Sequence, residues 1–347
     1  MLFSAYFLVC LELCRSNRSL CIFRCVASVT HLFIIDRKRM SKVWFSDYKA
    51  KRWTQNIVKK NLKSTNPIDC EQYIHNLDKT ALVALKKIPL LDTICAKLLS
   101  IMNDKQNTII NMSTKIHITE KQLPKIYRMV QSICCKIGID MPELYLELNR
   151  EPNAYTYGTE KFTIIIHSGL IECLQDDELY AVLAHECGHI ACKHGLYHTI
   201  GGMALSGGAI GLHELSNYLN TKGVVGAIAG NVVSAVDSAL ELAFFHWFRC
   251  SELSADRVAI ICCGSADPVI ETMMRLAGGT RHIDSEIDKD LFIAQAANYQ
   301  QSTEKDIVNK GLEFLLTKNN THPLLAVRAY EAQKFASSDD FRKIAQA

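Results

Sequence analysis

Two histidines four positions apart, inside one apolar helix, restrict this chain more than any other feature it carries. The stretch Asp176-Asp177-Glu178-Leu179-Tyr180-Ala181-Val182-Leu183-Ala184-His185-Glu186-Cys187-Gly188-His189 opens with acidic residues, which suit the positive end of a helix. It then runs on in helix formers up to Gly195. On an α-helix a spacing of four offsets the two imidazoles by about 40° around the axis and about 6 Å along it, so both can reach one metal ion. Glu186 stands beside them on the same turn, near the ion's open coordination position, where a carboxylate can take a proton from water. Alone, H-E-x-x-H is a moderately specific pattern, since His and Glu also decorate solvated helices. Here the flanks are apolar, and two histidines and a glutamate are costly to bury unpaired.

A catalytic zinc usually takes three protein ligands and keeps one position for water, so the pattern asks for another donor. A second helical stretch, Arg249-Cys250-Ser251-Glu252-Leu253-Ser254-Ala255-Asp256-Arg257, puts Glu252 and Asp256 on one face. Glu252 would complete a site with His185 and His189. Asp256 would accept a hydrogen bond from the distal nitrogen of a ligating histidine, with His185 the expected donor. Without the first motif the same pair reads as a solvated face, with Arg249 and Arg257 as salt-bridge partners. Together the motifs require two separate helices to meet.

The rest of the chain is mostly helical by its spacing. Apolar residues recur at helical intervals over 69–103, with Pro89 marking a kink or a boundary, and 120–138 reads as an amphipathic helix ending at Gly138. Short runs rich in β-formers at 115–119, 143–148 and 162–167 are expected strands, and 153–159 carries turn residues and aromatics between the last two. Everything after Asp176 reads as helix joined by short loops, apart from a glycine-rich zone at 201–211. The apolar segment 223–248 is long enough to cross a bilayer, but Asp237 and Glu241 would each cost about 2.5–3.5 kcal/mol there. A buried helix, forming an apolar hairpin with 198–219, is the preferred reading.

Composition excludes some partners. With 48% hydrophobic residues, 22% charged and a net charge of +3, the chain can bury a large core and has no electrostatic reason to seek nucleic acid. Its 14 cysteines are spread out, with no C-x-x-C pair, so reduced thiols are expected rather than a disulfide scaffold or a thiolate zinc site. The domain plan read from the chain is an apolar N-terminal extension at 1–39, a basic lead-in at 40–68 and one catalytic domain at 69–347. The extension is neither a clean signal peptide nor long enough to span a bilayer comfortably, and reads as a weak membrane anchor or as lying outside the folded unit.

At this point the motifs Asn153-Ala154-Tyr155, Ser168-Gly169-Leu170, His185-Glu186-x-x-His189 with His194, Glu252-x-x-Ala255-Asp256 and Thr321-His322-Pro323 followed by Arg328 can be taken together. The chain resembles the HtpX and CAAX prenyl protease family of zinc metallopeptidases, a gluzincin group, over roughly 69–343. The resemblance implies an α+β fold: a mainly helical zincin-type metallopeptidase domain with a small antiparallel-edged β-sheet and an apolar helical hairpin near the active site. It implies that His185, His189 and Glu252 hold one Zn2+ per chain, that Glu186 is the general base and that Asp256 supports a ligand. His322 would steady the oxyanion with Arg328 behind it, and Asn153, Ala154 and Tyr155 would line the cleft on an edge strand that pairs with an extended peptide. His194 corresponds to a position near the end of the active-site helix, where an imidazole suits the helix dipole. His167 and His198 are expected to be structural.

The expected activity is that of a zinc-dependent metalloendopeptidase acting on polypeptide substrates, in protein quality control, in the cytoplasm or peripherally attached to a membrane. Two alternatives are a non-catalytic, zinc-stabilised, chaperone-like peptide-binding protein and a membrane-embedded processing protease. An intact Glu186 speaks against the first, because a purely structural site needs no base. Oligomeric state has no signature in the sequence.

Overall fold

A computed structural model describes residues 51–62, 66–87, 104–158, 161–195, 231–279, 286–304 and 324–346, with a few isolated positions between them. His198, His322, the extension at 1–39 and most of the apolar hairpin lie outside the described residues. The chain divides into two compact units, Met1–Arg52 and Trp53–Ala347, and all that follows concerns the second.

Helix α1, Asn76–Lys86, starts on His75, whose ring nitrogen accepts from the Leu77 amide as a cap. Helix α2, Asp104–Thr114, leads into the two-residue strand β1, Ile116–His117. Helix α3, Pro124–Ile137, has proline at its first turn, where a missing N–H costs nothing, and stops at Gly138. That glycine has φ +71°, and a Cβ there would come within 2.5 Å of Pro67.

Strands β2, Glu143–Glu147, β3, Ala154–Tyr157, and β4, Thr163–His167, complete a four-stranded sheet in the order β1-β2-β4-β3. The central β2–β4 pair is parallel and both flanking pairs are antiparallel, so the sheet is mixed with antiparallel edges. β4 is buried along its whole length, as its Thr-Ile-Ile-Ile-His run demands. β3 occupies residues that the turn-like composition of 153–159 assigned to a connection. Its register sets Ala154 opposite Ile166 and Thr156 opposite Ile164, which puts both on the face toward the next long helix. Tyr155 and Tyr157 take the other face, where Tyr155 packs on His167 and Tyr157 accepts from Asn111.

A short helix that no spacing announced, α4, Ser168–Cys173, turns the chain into α5, Asp176–Ala191. The carboxylate of Glu178 caps α5 by accepting from the Gln175 amide at 2.6 Å, and its other oxygen takes Arg275 at 3.0 Å in a buried ion pair. Arg275 lies on α7, Asp267–Leu276, which follows the long helix α6, Asn231–Cys263. Helices α8, Lys289–Glu304, α9, Leu325–Ala336, and α10, Asp339–Gln346, finish the unit. The architecture is α+β and mainly helical. Among the described residues no helix is long and apolar enough to cross a membrane.

The core gathers α3, α6 and α7 around α5, which packs on β3, through residues such as Val130, Ile133, Ile164, Leu183, Val258 and Ile270. Gly188 decides how closely α5 and α6 meet. A Cβ at that position would lie 2.9 Å from the Ala255 Cα and 3.0 Å from the Val258 Cβ, so alanine would force the two helices apart. The glycine inside the histidine motif is thus what lets α6 bring its carboxylates against α5.

Candidate metal centre

Three buried donors converge where α5 and α6 touch. The Nε2 atoms of His185 and His189 are 3.2 Å apart, and the two carboxylate oxygens of Glu252 lie 3.4 and 3.3 Å from them. A set of ligand atoms on these residues falls within 4.8 Å of one another, as one small cation requires. Each of the three residues is at most 6% exposed.

Both imidazoles are turned so that Nε2 faces the common point, because Nδ1 is engaged on the far side. His185 Nδ1 lies 2.9 Å from Asp256 Oδ1. Asp256 in turn is gripped by Arg328, from Nε at 2.8 Å and Nη2 at 2.6 Å, and Nη1 of the same guanidinium reaches Glu252 at 2.8 Å. Arg328 enters from α9, so a third helix fixes the positions of the other two. The sequence expectation put this arginine behind His322, which lies outside the described residues; among the described residues it grips the two carboxylates of α6.

His189 is held differently. Its Nδ1 lies 3.0 Å from Nδ1 of His194, whose Nε2 lies 2.8 Å from Asp78 on α1. Asp78, wholly buried, also accepts from Trp247 Nε1 at 3.0 Å and Ser254 Oγ at 2.6 Å. His194 is therefore a buried link in a chain of hydrogen bonds rather than an imidazole completing the helix dipole. Burial disfavours charge on Asp78, yet its donors, His194 first, hold the carboxyl below its ordinary pKa. Asp78 was not legible in the sequence, where it is one acidic residue on an amphipathic helix.

Glu186 is 1% exposed. Its Oε2 accepts from the Thr156 hydroxyl at 2.7 Å, and its Oε1 is buried with no hydrogen-bond partner among the described residues. Thr156 is a second residue that sequence reasoning missed. Ala154, on the same face of β3, borders the open cleft that runs past Glu186, as does Asn153, while the Tyr155 ring turns to the opposite face. The cleft, about 490 Å³, is lined mainly by apolar side chains, among them Val182, Val269, Met273 and Leu325. His167, as expected of a structural histidine, bonds the Glu151 carbonyl at 3.0 Å.

The electrostatics favour a divalent cation. Glu186, Glu252 and Asp256 bring three carboxylates into a buried space where Arg328 is a single guanidinium, an excess of acidic groups that favours a bound cation. Burial disfavours charge on His185, but Glu252 and Asp256 outweigh it and hold the imidazole up at about 10. Burial holds His189 below its ordinary value. For Asp256, burial pushes upward and the Arg328 guanidinium overrides it, keeping the carboxylate ionised. Two imidazoles and a carboxylate with oriented outer partners are a donor set that suits a borderline divalent metal such as zinc.

Comparison with known proteins agrees with this geometry. The model of peptidase family M48 matches residues 120–336, which takes in β2, β3 and β4, the three donors, Glu186 and Arg328. The plastoglobule-localized metallopeptidase 48, chloroplastic, of Arabidopsis thaliana is 28% identical over 279 residues, covering 80% of this chain and 76% of the relative. No solved structure matches. The chain belongs to peptidase family M48 and is a metalloendopeptidase.

Proposed function

We propose that this chain hydrolyses peptide bonds with one zinc ion held by His185, His189 and Glu252, and with Glu186 as general base. The observation that supports this most is the convergence of those donors beside a buried carboxylate, Glu186, whose Oε1 has no hydrogen-bond partner among the described residues. A divalent cation in this position supplies the Lewis acidity that lowers the pKa of water toward about 7 and polarises the scissile carbonyl. Glu186 takes the water's proton at Oε1 and returns it to the departing amine, so no covalent enzyme intermediate forms. Asp256 and the His194–Asp78 pair keep the two imidazoles in the orientation that would hold the ion, and Arg328 keeps Glu252 and Asp256 in place. His322 keeps the oxyanion role that the family resemblance gives it.

The substrate binds as an extended polypeptide. Among the described residues β3 ends the sheet at the cleft, and an extended substrate is read along this edge strand at Asn153, Ala154 and Tyr155. The cleft beside Glu186 fits an apolar side chain next to the scissile bond. Quality control of damaged or unfolded protein suits such a site, since it reads an extended backbone and one apolar residue. The relative's printed name places that protein at plastoglobules, which supports peripheral attachment to a lipid surface for this chain as well.

Metal removal tests the reading. Hydrolysis of casein, followed by the appearance of new amino termini, is expected to stop on treatment with a zinc chelator. It is expected to return on addition of one equivalent of zinc. Activity that persists through chelation would exclude the mechanism.

A further inference from the structure

We infer that Thr156 is the positioning residue of the general base, tying Glu186 to the edge strand on which the substrate is read; this rests on the role proposed for Glu186. A buried carboxylate can rotate about its last bond, and only one of its oxygens can face the reacting water. In this protein the choice is made by Thr156, whose hydroxyl donates to Oε2 at 2.7 Å and also lies 3.3 Å from the Glu186 carbonyl. Among the described residues Oε1 is left buried without a hydrogen-bond partner, on the residue that adjoins the cleft. The other residues of the site act on different atoms. Arg328 and Asp256 act on Glu252 and His185, while His194 and Asp78 act on His189.

Thr156 also has the right address. It lies two residues along β3 from Ala154, on the same face, and among the described residues β3 is the last strand of the sheet, beside β4. A valine at 156 keeps the β-branched shape that suits a strand and removes only the hydroxyl. A serine keeps the hydroxyl.

The experiment compares Thr156→Val, Thr156→Ser and Glu186→Gln on one fluorogenic peptide, with zinc affinity measured by chelator competition and the melting temperature recorded for each. Thr156→Val is expected to lower kcat by about tenfold, the effect of losing one hydrogen bond to a charged group, with KM and zinc affinity within about twofold of the wild type. Thr156→Ser should recover most of that kcat. A wild-type kcat in Thr156→Val beside an inactive Glu186→Gln overturns this inference alone. Loss of zinc affinity in step with kcat, or a serine variant as slow as the valine one, overturns it too, because the hydroxyl would then not be acting on the base. An active Glu186→Gln overturns the general-base reading and this inference with it.

Discussion

Glu186→Gln is expected to bind zinc as tightly as the wild type and to cleave casein about 10²- to 10⁴-fold more slowly. The substitution preserves shape, and the Thr156 hydroxyl can still donate to the remaining side-chain oxygen. What disappears is a proton acceptor on the edge of the cleft, because an amide nitrogen cannot take a proton from water. None of the donors at the proposed zinc site is altered, since these lie on His185, His189 and Glu252. The comparison of metal content with turnover therefore separates chemistry from assembly. An active glutamine variant would remove Glu186 from the mechanism.

Arg328→Ala is expected to have the largest effect on stability, about 3–5 kcal/mol, read as a shift in the denaturant midpoint of the zinc-loaded protein at neutral pH. The guanidinium makes hydrogen bonds or ion pairs with Glu252 Oε2 and with both oxygens of Asp256, all buried. Deleting it leaves two carboxylates facing each other without their shared cation. Lysine carries the charge but not the planar fork, so Arg328→Lys should recover only part of the loss. An alanine variant within about 1 kcal/mol of the wild type would mean that the two acids find other compensation.

The site was partly readable because two of its pieces are local. His185, Glu186 and His189 sit within one turn of helix, where spacing alone fixes their relation. Glu252 and Asp256 repeat the four-residue spacing on a second helix, and only the need for a third donor linked the two. Arg328 entered through family resemblance, and its grip on both acids depends on how α9 packs against α6, which spacing does not encode. Asp78 and Thr156 left no trace. Asp78 meets His194 across a sequence separation of 116 residues, and Thr156 meets Glu186 across 30. A single acidic residue or threonine gains meaning only once tertiary structure places it.

The sheet shows the same division. β4 was legible as an uninterrupted apolar run, whereas β3 was masked by Pro152 and Asn153 before it and Gly158 after it. Four residues become a strand there because they pair with β4 in register from Ala154 to Tyr157, a partner that local composition does not see. The basic lead-in, readable as either extended or loosely helical, is helical over 53–61. Trp53 and Ile57 pack on the core, and Asn61 bonds the buried Tyr180 of α5 at 2.9 Å.

The most direct test of the account is the zinc content of the purified full chain and of Glu252→Ala, measured by elemental analysis after dialysis against a weak chelator. The account predicts one zinc per wild-type chain and none retained by the variant, because the two histidines alone do not complete a site. A wild-type chain that takes up no zinc, or a variant that keeps it with unchanged affinity, would contradict it.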